Sequence, residues 1–160
     1  MRFLLATAYR QAGLDRDALR QVLQLLESQH QAARQNPEAW AYWQKRAGND
    51  VANQLYAAGD FENTLLIYEH LAQLDKSPAW QIPVWYQIGL VYERQLQPTK
   101  AAEVYTRILD AQKELTGTRP SPSLLSIVEM ARWRKDSLGW IDRIQATQLS
   151  LRGEEKPTSN

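Results

Sequence analysis

The stretch QIPVWYQIGLVYERQLQPTKAAEVYTRILD, residues 81–110, decides the fold of this 160-residue chain. Its large apolar and small residues recur at helical spacing in two blocks, and each block presents one apolar face. Pro98 lies between the blocks, where proline can open the second helix. The stretch therefore predicts a helix hairpin. Its two faces consist of Trp85, Ile88, Gly89 and Tyr92, and of Ala101, Tyr105 and Ile108.

This pattern resembles the signature of the tetratricopeptide repeat, in which Trp, Leu, Gly and Tyr are followed by a small residue and an aromatic in the second helix. In that arrangement Gly89 and Ala101 let the two helices approach closely, while aromatic rings fill the space around them. The closing proline of the family is absent, since Lys113 occupies its place. The residues that match in register are Trp85, Gly89, Tyr92, Ala101 and Tyr105, with Ile88 replacing leucine.

The same template recurs in two earlier segments. Shifted back by 37 residues, it finds Val51, Ala52 and Leu55 before a turn at Gly59-Asp60 and Thr64, Tyr68 and Leu71 after it, with Gly48 in place of the leading Trp. A further copy at the start of the chain comprises Leu5, Ala6, Tyr9, Gly13, Ala18, Val22 and Leu25. The predicted repeats cover approximately residues 1–32, 37–76 and 78–116.

Proline following a capping residue marks the predicted helix starts at Asn36-Pro37, Ser77-Pro78 and Ser121-Pro122. The first helices of the second and third repeats are accordingly expected to be lengthened. Residues 121–151 are expected to form a capping helix, bent at Gly139, that covers the last apolar surface of the array. The resemblance thus implies an all-α fold, a right-handed α-solenoid of helix hairpins, in one domain over residues 1–152. Residues 153–160 are polar and aperiodic and are predicted to be a disordered tail.

The charge balance and the residue types exclude several function classes. With 19 basic and 18 acidic residues, no overall field attracts nucleic acid or anionic lipid, so neither partner is expected. The absence of cysteine removes disulfides, thiolate nucleophiles and cysteine-ligated metals, and leaves the compartment unknown, since cytoplasm and periplasm are both compatible. The apolar run at residues 3–6 is too short for a secretory signal or a membrane span.

Candidates for catalysis are few, and the sequence predicts no enzyme and no cofactor. His30 and His70 lie near the ends of predicted second helices without a metal-ligand spacing, so surface histidines are expected. Acidic residues alternate with Arg and Lys along the helices, as they do on solvated faces. There is no Gly-rich phosphate loop and no Gly-x-Ser-x-Gly nucleophile motif.

The resemblance implies that a partner protein or peptide lies along the concave groove formed by the first helix of each repeat. The clamp with which similar co-chaperones hold an acidic tail is not expected, because only Asn53 matches it, while Phe3, Thr7, Pro83 and Gln87 occupy its other positions. The alternative for each groove residue is an ordinary solvated helix position. The predicted partner-binding residues are Arg10, Asn49, Asn53, Tyr56, Tyr86, Leu90 and Arg94, with Thr7, Gln11, Ala57 and Glu93 beside them.

Six tryptophans also require an explanation. Trp40, Trp43 and Trp80 lie near the starts of the long first helices, where they either pack the helix extensions or form an aromatic binding rim. Trp43 and Trp80 occupy equivalent places in successive repeats, so stacking is expected to bring them close together. Trp133 and Trp140, seven residues apart, share one face of the capping helix and leave the same two alternatives.

Together these patterns predict a scaffold that binds other proteins. A first alternative is a homo-oligomerisation module that pairs through the end of the array or through the Trp-rich edge. A second is an accessory domain of a larger multidomain protein. Because Met1 falls inside the first helix of the template, we expect the chain to be the carboxyl-terminal part of a longer repeat protein, the alternative being a short protein with an exposed first helix. RNA binding by helical repeats is disfavoured by the near-neutral charge.

Overall fold

The computed structural model describes residues 36–115 and 120–154, together with Asp17, Arg20, Gln21 and Gln24. The rest of the predicted first repeat, including Arg10 and His30, lies outside the described residues. Within the two described stretches the chain is all-helical, with five helices and no strand. The helices are α1 (Pro37–Ala57), α2 (Phe61–Leu74), α3 (Pro78–Arg94), α4 (Pro98–Glu114) and α5 (Pro122–Glu154).

Four of these helices begin with proline, as the sequence predicts for α1, α3, α4 and α5. Proline suits this position because the first helical residue needs no N–H donor and its fixed φ is already helical. Asn36 caps α1, since its side-chain oxygen accepts a hydrogen bond from the Ala39 backbone N–H at 3.0 Å. Helix α1 has 21 residues and α2 has 14, whereas α3 and α4 have 17 residues each, so within its hairpin only α1 is the longer helix.

Packing follows the order of the chain. Each helix packs against the next, and α3 also contacts α5. The helices thus form two antiparallel hairpins, α1–α2 and α3–α4, with α5 lying against the second hairpin. Helix α3 contacts α2, α4 and α5, so it joins the first hairpin to the rest of the described fold.

The core consists of two apolar clusters that share α3. Val84, Ile88 and Val91 face the first hairpin, whereas Ile82 and Tyr86 face α4 and α5. Since α3 is apolar on both sides, it reads as a nearly continuous hydrophobic segment, as expected for a helix buried between two layers. The fully buried residues around it include Ala52, Ile67, Leu71, Ala101, Tyr105, Ile108, Val128 and Ala131.

Close approach within each hairpin depends on a glycine. A Cβ atom on Gly89 would overlap the ring of Tyr105, which is fully buried on α4. A Cβ atom on Gly48 would lie 2.6 Å from Cδ2 of Leu71 on α2. Any larger residue at either position would push the two helices apart or displace a core side chain.

The turns of the two hairpins repeat each other at an interval of 37 residues. In the first turn Gly59, at φ +80°, donates its N–H to the carbonyl of Tyr56, and Asp60 donates to Leu55. In the second turn Leu96, at φ +57°, donates to Glu93 in the same way. The corresponding last bond of that turn joins Gln97 N–H to the carbonyl of Tyr92. Both hairpins therefore close with a residue in the left-handed conformation.

The carboxyl-terminal boundary differs from the prediction. Helix α5 continues to Glu154, so Gly153 and Glu154 belong to the helix rather than to a tail that begins at residue 153. The end of a helix is set by the last backbone hydrogen bond rather than by side-chain polarity, which places such ends only to within one or two residues. The remaining part of the predicted tail, residues 155–160, lies outside the described residues.

Candidate protein-binding face

Two predicted groove residues from different helices are in direct contact. Tyr56 on α1 accepts a hydrogen bond from Nε of Arg94 on α3 at 3.3 Å. The guanidinium carbon of Arg94 lies 5.9 Å from the centre of the Tyr56 ring, within reach of a cation–π interaction. Arg94 is exposed and Tyr56 is half-buried, so this pair lies at the surface between the first helices of the two hairpins.

Asn53, one turn before Tyr56 on α1, links this surface to the core. Its side-chain oxygen accepts a hydrogen bond from the hydroxyl of Tyr68 at 2.7 Å. Tyr68 is fully buried, and burial raises its pKa to about 12, which keeps the hydroxyl protonated as a donor. The bond fixes the orientation of the Asn53 amide, and its nitrogen has no partner among the described residues.

The same tyrosine–arginine geometry recurs between α3 and α5. Nε of Arg134 donates to the hydroxyl of Tyr86 at 3.1 Å, and its guanidinium carbon lies 5.9 Å from the ring centre. The Tyr86 hydroxyl in turn donates weakly to the sulfur of Met130 at 3.7 Å. In both pairs the arginine lies over a tyrosine two helices earlier in the chain, Arg94 over Tyr56 and Arg134 over Tyr86.

The charge of Arg134 is balanced by a carboxylate, whereas that of Arg94 is not balanced among the described residues. Nη1 of Arg134 forms an ion pair with Oε2 of Glu93 at 2.9 Å, and Oε1 of Glu93 accepts from the hydroxyl of Tyr105 at 2.6 Å. Burial and then the hydrogen bond to Glu93 raise the pKa of Tyr105 well above its usual range. Glu93, Arg134 and Tyr105 thus satisfy one another, while Arg94 retains its charge at the surface.

The structure changes the predicted groove at Tyr86. This residue was expected to face a partner, but only 8% of its surface is exposed because α5 packs over it. Asn49 and Leu90 are half-buried, and Arg10 lies outside the described residues. The contribution of Arg134 was missed, and no spacing signal pointed to it, because α5 carries no copy of the repeat template.

The three tryptophans of the predicted rim have different environments. Trp80 is half-buried, donates its Nε1–H to the Leu71 carbonyl at 2.7 Å and lies 4.5 Å beneath Nζ of Lys45. Trp43 is 51% exposed and contacts Tyr42 edge-on, with ring centres 5.6 Å apart. The ring contacts of Trp43 and Trp80 are therefore with different residues. Trp40, which is half-buried, has its own contacts.

Lys45 also forms an ion pair between the two hairpins. Its Nζ lies 2.6 Å from Oδ2 of Asp75, which precedes α3. The hydrogen bond from Lys45, followed by the one from the backbone N–H of Ser77, lowers the pKa of Asp75 to about 2. The first hairpin is thereby attached to the start of the second.

The signature aromatics Trp85 and Tyr92 line a cavity of about 240 Å³ on the other side of α3. Lys100 lies 5.5 Å from the Tyr92 ring centre and Arg107 lies 5.6 Å from that of Trp85. Glu69 and Glu103 belong to the same lining, so acidic and basic groups are balanced there. This balance gives the cavity no charge preference for a ligand.

Two properties of the described residues bear on other classes of function. In the two described stretches, no group of three or more His, Cys, Asp or Glu side chains is arranged to hold a metal ion. None of the described helices is long and apolar enough to cross a membrane. His70 is half-buried near the end of α2.

Comparison of the chain with protein families, with curated proteins and with solved structures gave no match.

Proposed function

We propose that this chain is a tetratricopeptide-type helical array that binds a peptide segment of a partner protein on the face formed by α1 and α3. The bound segment carries a carboxylate, which Arg94 receives. Asn53 and Tyr56 complete the contact with the peptide backbone and with its apolar atoms.

Two features support the repeat architecture within this proposal. The turn hydrogen bonds and the buried tyrosines Tyr68 and Tyr105 recur at the same interval of 37 residues. The helices also pack mainly on their neighbours in the chain, which is the contact pattern of repeat arrays. An array of this kind exposes one row of first helices along its length.

The state of Arg94 is the observation that carries the proposed activity. Its Nε is occupied by the Tyr56 hydroxyl, whereas Nη1 and Nη2 have no partner among the described residues. A guanidinium held at Nε presents its two η nitrogens as a planar fork, which matches the two oxygens of a carboxylate. Tyr56 holds the fork over its ring, so less side-chain freedom is lost when a ligand binds.

A selection from random peptides tests this proposal. Peptides recovered on the immobilised wild-type chain should be enriched in Asp or Glu. Their affinity, measured by fluorescence polarisation, should fall at least about tenfold for Arg94→Ala, since a charge-assisted hydrogen bond contributes on the order of 1.5–3 kcal/mol. Asn53→Ala should cause a smaller loss.

Arg107 provides the matched control. Like Arg94, it is exposed and lies over an aromatic ring, but it belongs to α4 on the other side of α3. Arg107→Ala should leave the selected peptides bound as before. Peptides without acidic residues, or an equal loss for both arginine variants, would contradict the proposed face.

A further inference from the structure

Helix α5 carries a second apolar face that the core does not use. Its inward side is buried at Leu124, Val128 and Ala131, which have at most 6% exposure. On the opposite side Trp133 is 67% exposed and Trp140 is 59% exposed. A helix that is apolar on two opposite faces has one contact surface more than its own fold requires.

This outward face follows the heptad pattern of a helix pair. Its positions alternate by four and three residues, which is the spacing of a seam between two helices. Ser137 lies at the centre of the seam, and its hydroxyl donates to the carbonyl of Trp133 at 2.8 Å. That serine can therefore be buried without losing a hydrogen bond. The seam comprises Ser126, Met130, Trp133, Ser137, Trp140 and Ile144.

We propose that two copies of this chain pair through α5, in antiparallel orientation, along this seam. The inference is independent of the peptide-binding face, because the seam residues Trp133 and Trp140 belong to a different helix from Arg94.

The order of side-chain sizes favours a second copy in antiparallel orientation. Helix α5 has 33 residues, so its midpoint lies at Leu138. When two copies cross between Leu138 and Gly139, Trp140 lies opposite Ser137 of the second copy, and a large residue meets a small one. A parallel pair would instead place each tryptophan opposite itself and each serine opposite itself, which leaves crowded and empty layers.

Charge supports the same arrangement. Asp136 is exposed beside the seam, and in the antiparallel pair it lies on the same side as position 143 of the second copy, about two residues away along the helix axis, where the sequence has an arginine. Symmetry makes this opposite-charge contact occur twice. Glu129, which also flanks the seam, already forms an ion pair with Arg132 of its own helix at 2.7 Å. No like charges face each other among these flanking groups.

The exposed tryptophans supply a substantial part of the surface that a stable pair needs. At about 1.5 Å per residue the two helices can overlap over roughly 50 Å. A tryptophan side chain buries on the order of 150–250 Å², so the exposed parts of four tryptophans supply on the order of 500 Å². Standard interfaces bury about 1,600 Å² in total, so the tryptophans alone supply roughly a third of that area.

Light scattering after size exclusion, over a range of protein concentrations, tests this proposal on the full chain. We expect a dimer whose dissociation constant rises at least about 30-fold in the double variant Trp133→Glu/Trp140→Glu, as for the loss of a hot spot. Trp43→Glu is the control, because Trp43 is a similarly exposed tryptophan on α1. It should leave the dimer intact.

A charge exchange tests the orientation and does not depend on the core. Asp136→Arg should weaken the dimer about tenfold, and Asp136→Arg/Arg143→Asp should restore it to within about threefold of the wild type. Failure of the second change to restore pairing would overturn the antiparallel register. Far-UV circular dichroism of each variant identifies any loss of fold, and the charge variants remain decisive if the tryptophan variant does not fold.

Other results would reject the pairing altogether. A wild-type chain that is monomeric at every concentration overturns it, as does a dimer that survives Trp133→Glu/Trp140→Glu. A monomer that sediments with phosphatidylcholine vesicles through Trp133 would assign the face to a lipid surface instead. Loss of a dimer through Trp43→Glu would move the contact to α1.

Discussion

The hairpins α1–α2 and α3–α4 have turns of the same backbone geometry but with different residues. Gly59 adopts the left-handed conformation in the first turn, and Asp60 then caps α2 by accepting from the Asn63 N–H at 3.3 Å. In the second turn Leu96 adopts that conformation, and Gln97 makes no side-chain cap bond. The second hairpin thus closes with weaker local signals than the first. Its tertiary contacts, with α5 added on one side, compensate for this difference.

The buried tyrosines show the same contrast. Tyr68 in the first hairpin donates to a neutral amide, whereas Tyr105 in the second donates to Glu93, whose charge is balanced by Arg134. A hydrogen bond between two neutral groups needs no further partner. A buried hydrogen bond to a charged group is stable only while the counter-charge is also in place. The buried hydroxyl of the first hairpin is therefore satisfied within that hairpin, whereas the group around Tyr105 also needs Arg134 from α5.

Substitution of the two buried glycines should give the largest difference in unfolding free energy between the hairpins. We expect Gly89→Ala to lower the free energy of unfolding by about 3 kcal/mol, because the added methyl group meets the rigid, buried ring of Tyr105. Gly48→Ala should cost only about 1 kcal/mol, since the end of the Leu71 side chain can rotate away and alanine favours the helix. Urea unfolding followed by circular dichroism measures both values. Equal costs would show that the two helix contacts are equally adaptable.

Loss of Arg134 should have the next largest effect. Arg134→Ala leaves Glu93, only 24% exposed, without its cation, and we expect a loss of about 2 kcal/mol in unfolding free energy. Arg94→Ala, at the exposed counterpart, should cost less than about 0.5 kcal/mol. Replacing Glu93 by Gln in the Arg134→Ala background should recover part of the loss. If it recovers nothing, packing of the arginine rather than its charge stabilises the second hairpin.

Substitutions at the left-handed residues of the two turns should change the free energy of unfolding in opposite directions. Leu96→Gly relieves the left-handed conformation of a side chain that is 87% exposed, so we expect a gain of about 1 kcal/mol. Gly59→Ala should lose about 1 kcal/mol, although the space around its Cβ is open. Leu96→Ala is the control and should be nearly neutral. A gain for Leu96→Ala equal to that for Leu96→Gly would place the cost in the exposed side chain instead.

The smallest expected effect concerns pH and the connection between the hairpins. The pKa of Asp75 is lowered from its usual 3.8 to about 2 by the hydrogen bond from Lys45 and then by that of Ser77. Its contribution to stability is therefore present above pH 4 and is lost as the pH falls from about 4 to 2. Because both groups are partly exposed, we expect less than about 1 kcal/mol. Asp75→Asn should reduce stability at neutral pH and show a smaller decrease over that acid range in urea titrations.

Local signals in the sequence were sufficient for the helix starts and for the all-helical class. Proline after a capping residue located the start of α1 at Pro37 and that of α5 at Pro122, because these features depend only on neighbouring backbone groups. The contact of Gly89 with Tyr105 agrees with the close approach expected from the periodic pattern.

The contacts that shape the candidate face could not be predicted from such local signals. Arg134 meets Tyr86 across 48 residues, and only the position of α5 brings them together. Trp43 and Trp80 occupy equivalent positions in the template but have different neighbours, since Lys45 and Leu71 surround only the second. Local preference would place glycine at the turn residue occupied by Leu96. The 37-residue offset from Gly59 is the signal that could have revealed its conformation.

The central position of α3 determines the order in which the described helices lose their structure. It is packed by α2, α4 and α5, so its backbone amides open only when two layers separate, whereas among the described helices α2 packs mainly against α1 and α3. We therefore expect amide exchange with solvent to be slowest in α3 and faster toward the two ends of the described helices. Arg94 is the last residue of this helix, and its hydrogen bond to Tyr56 joins the helix end to α1, so a ligand bound there would be held by groups of both helices.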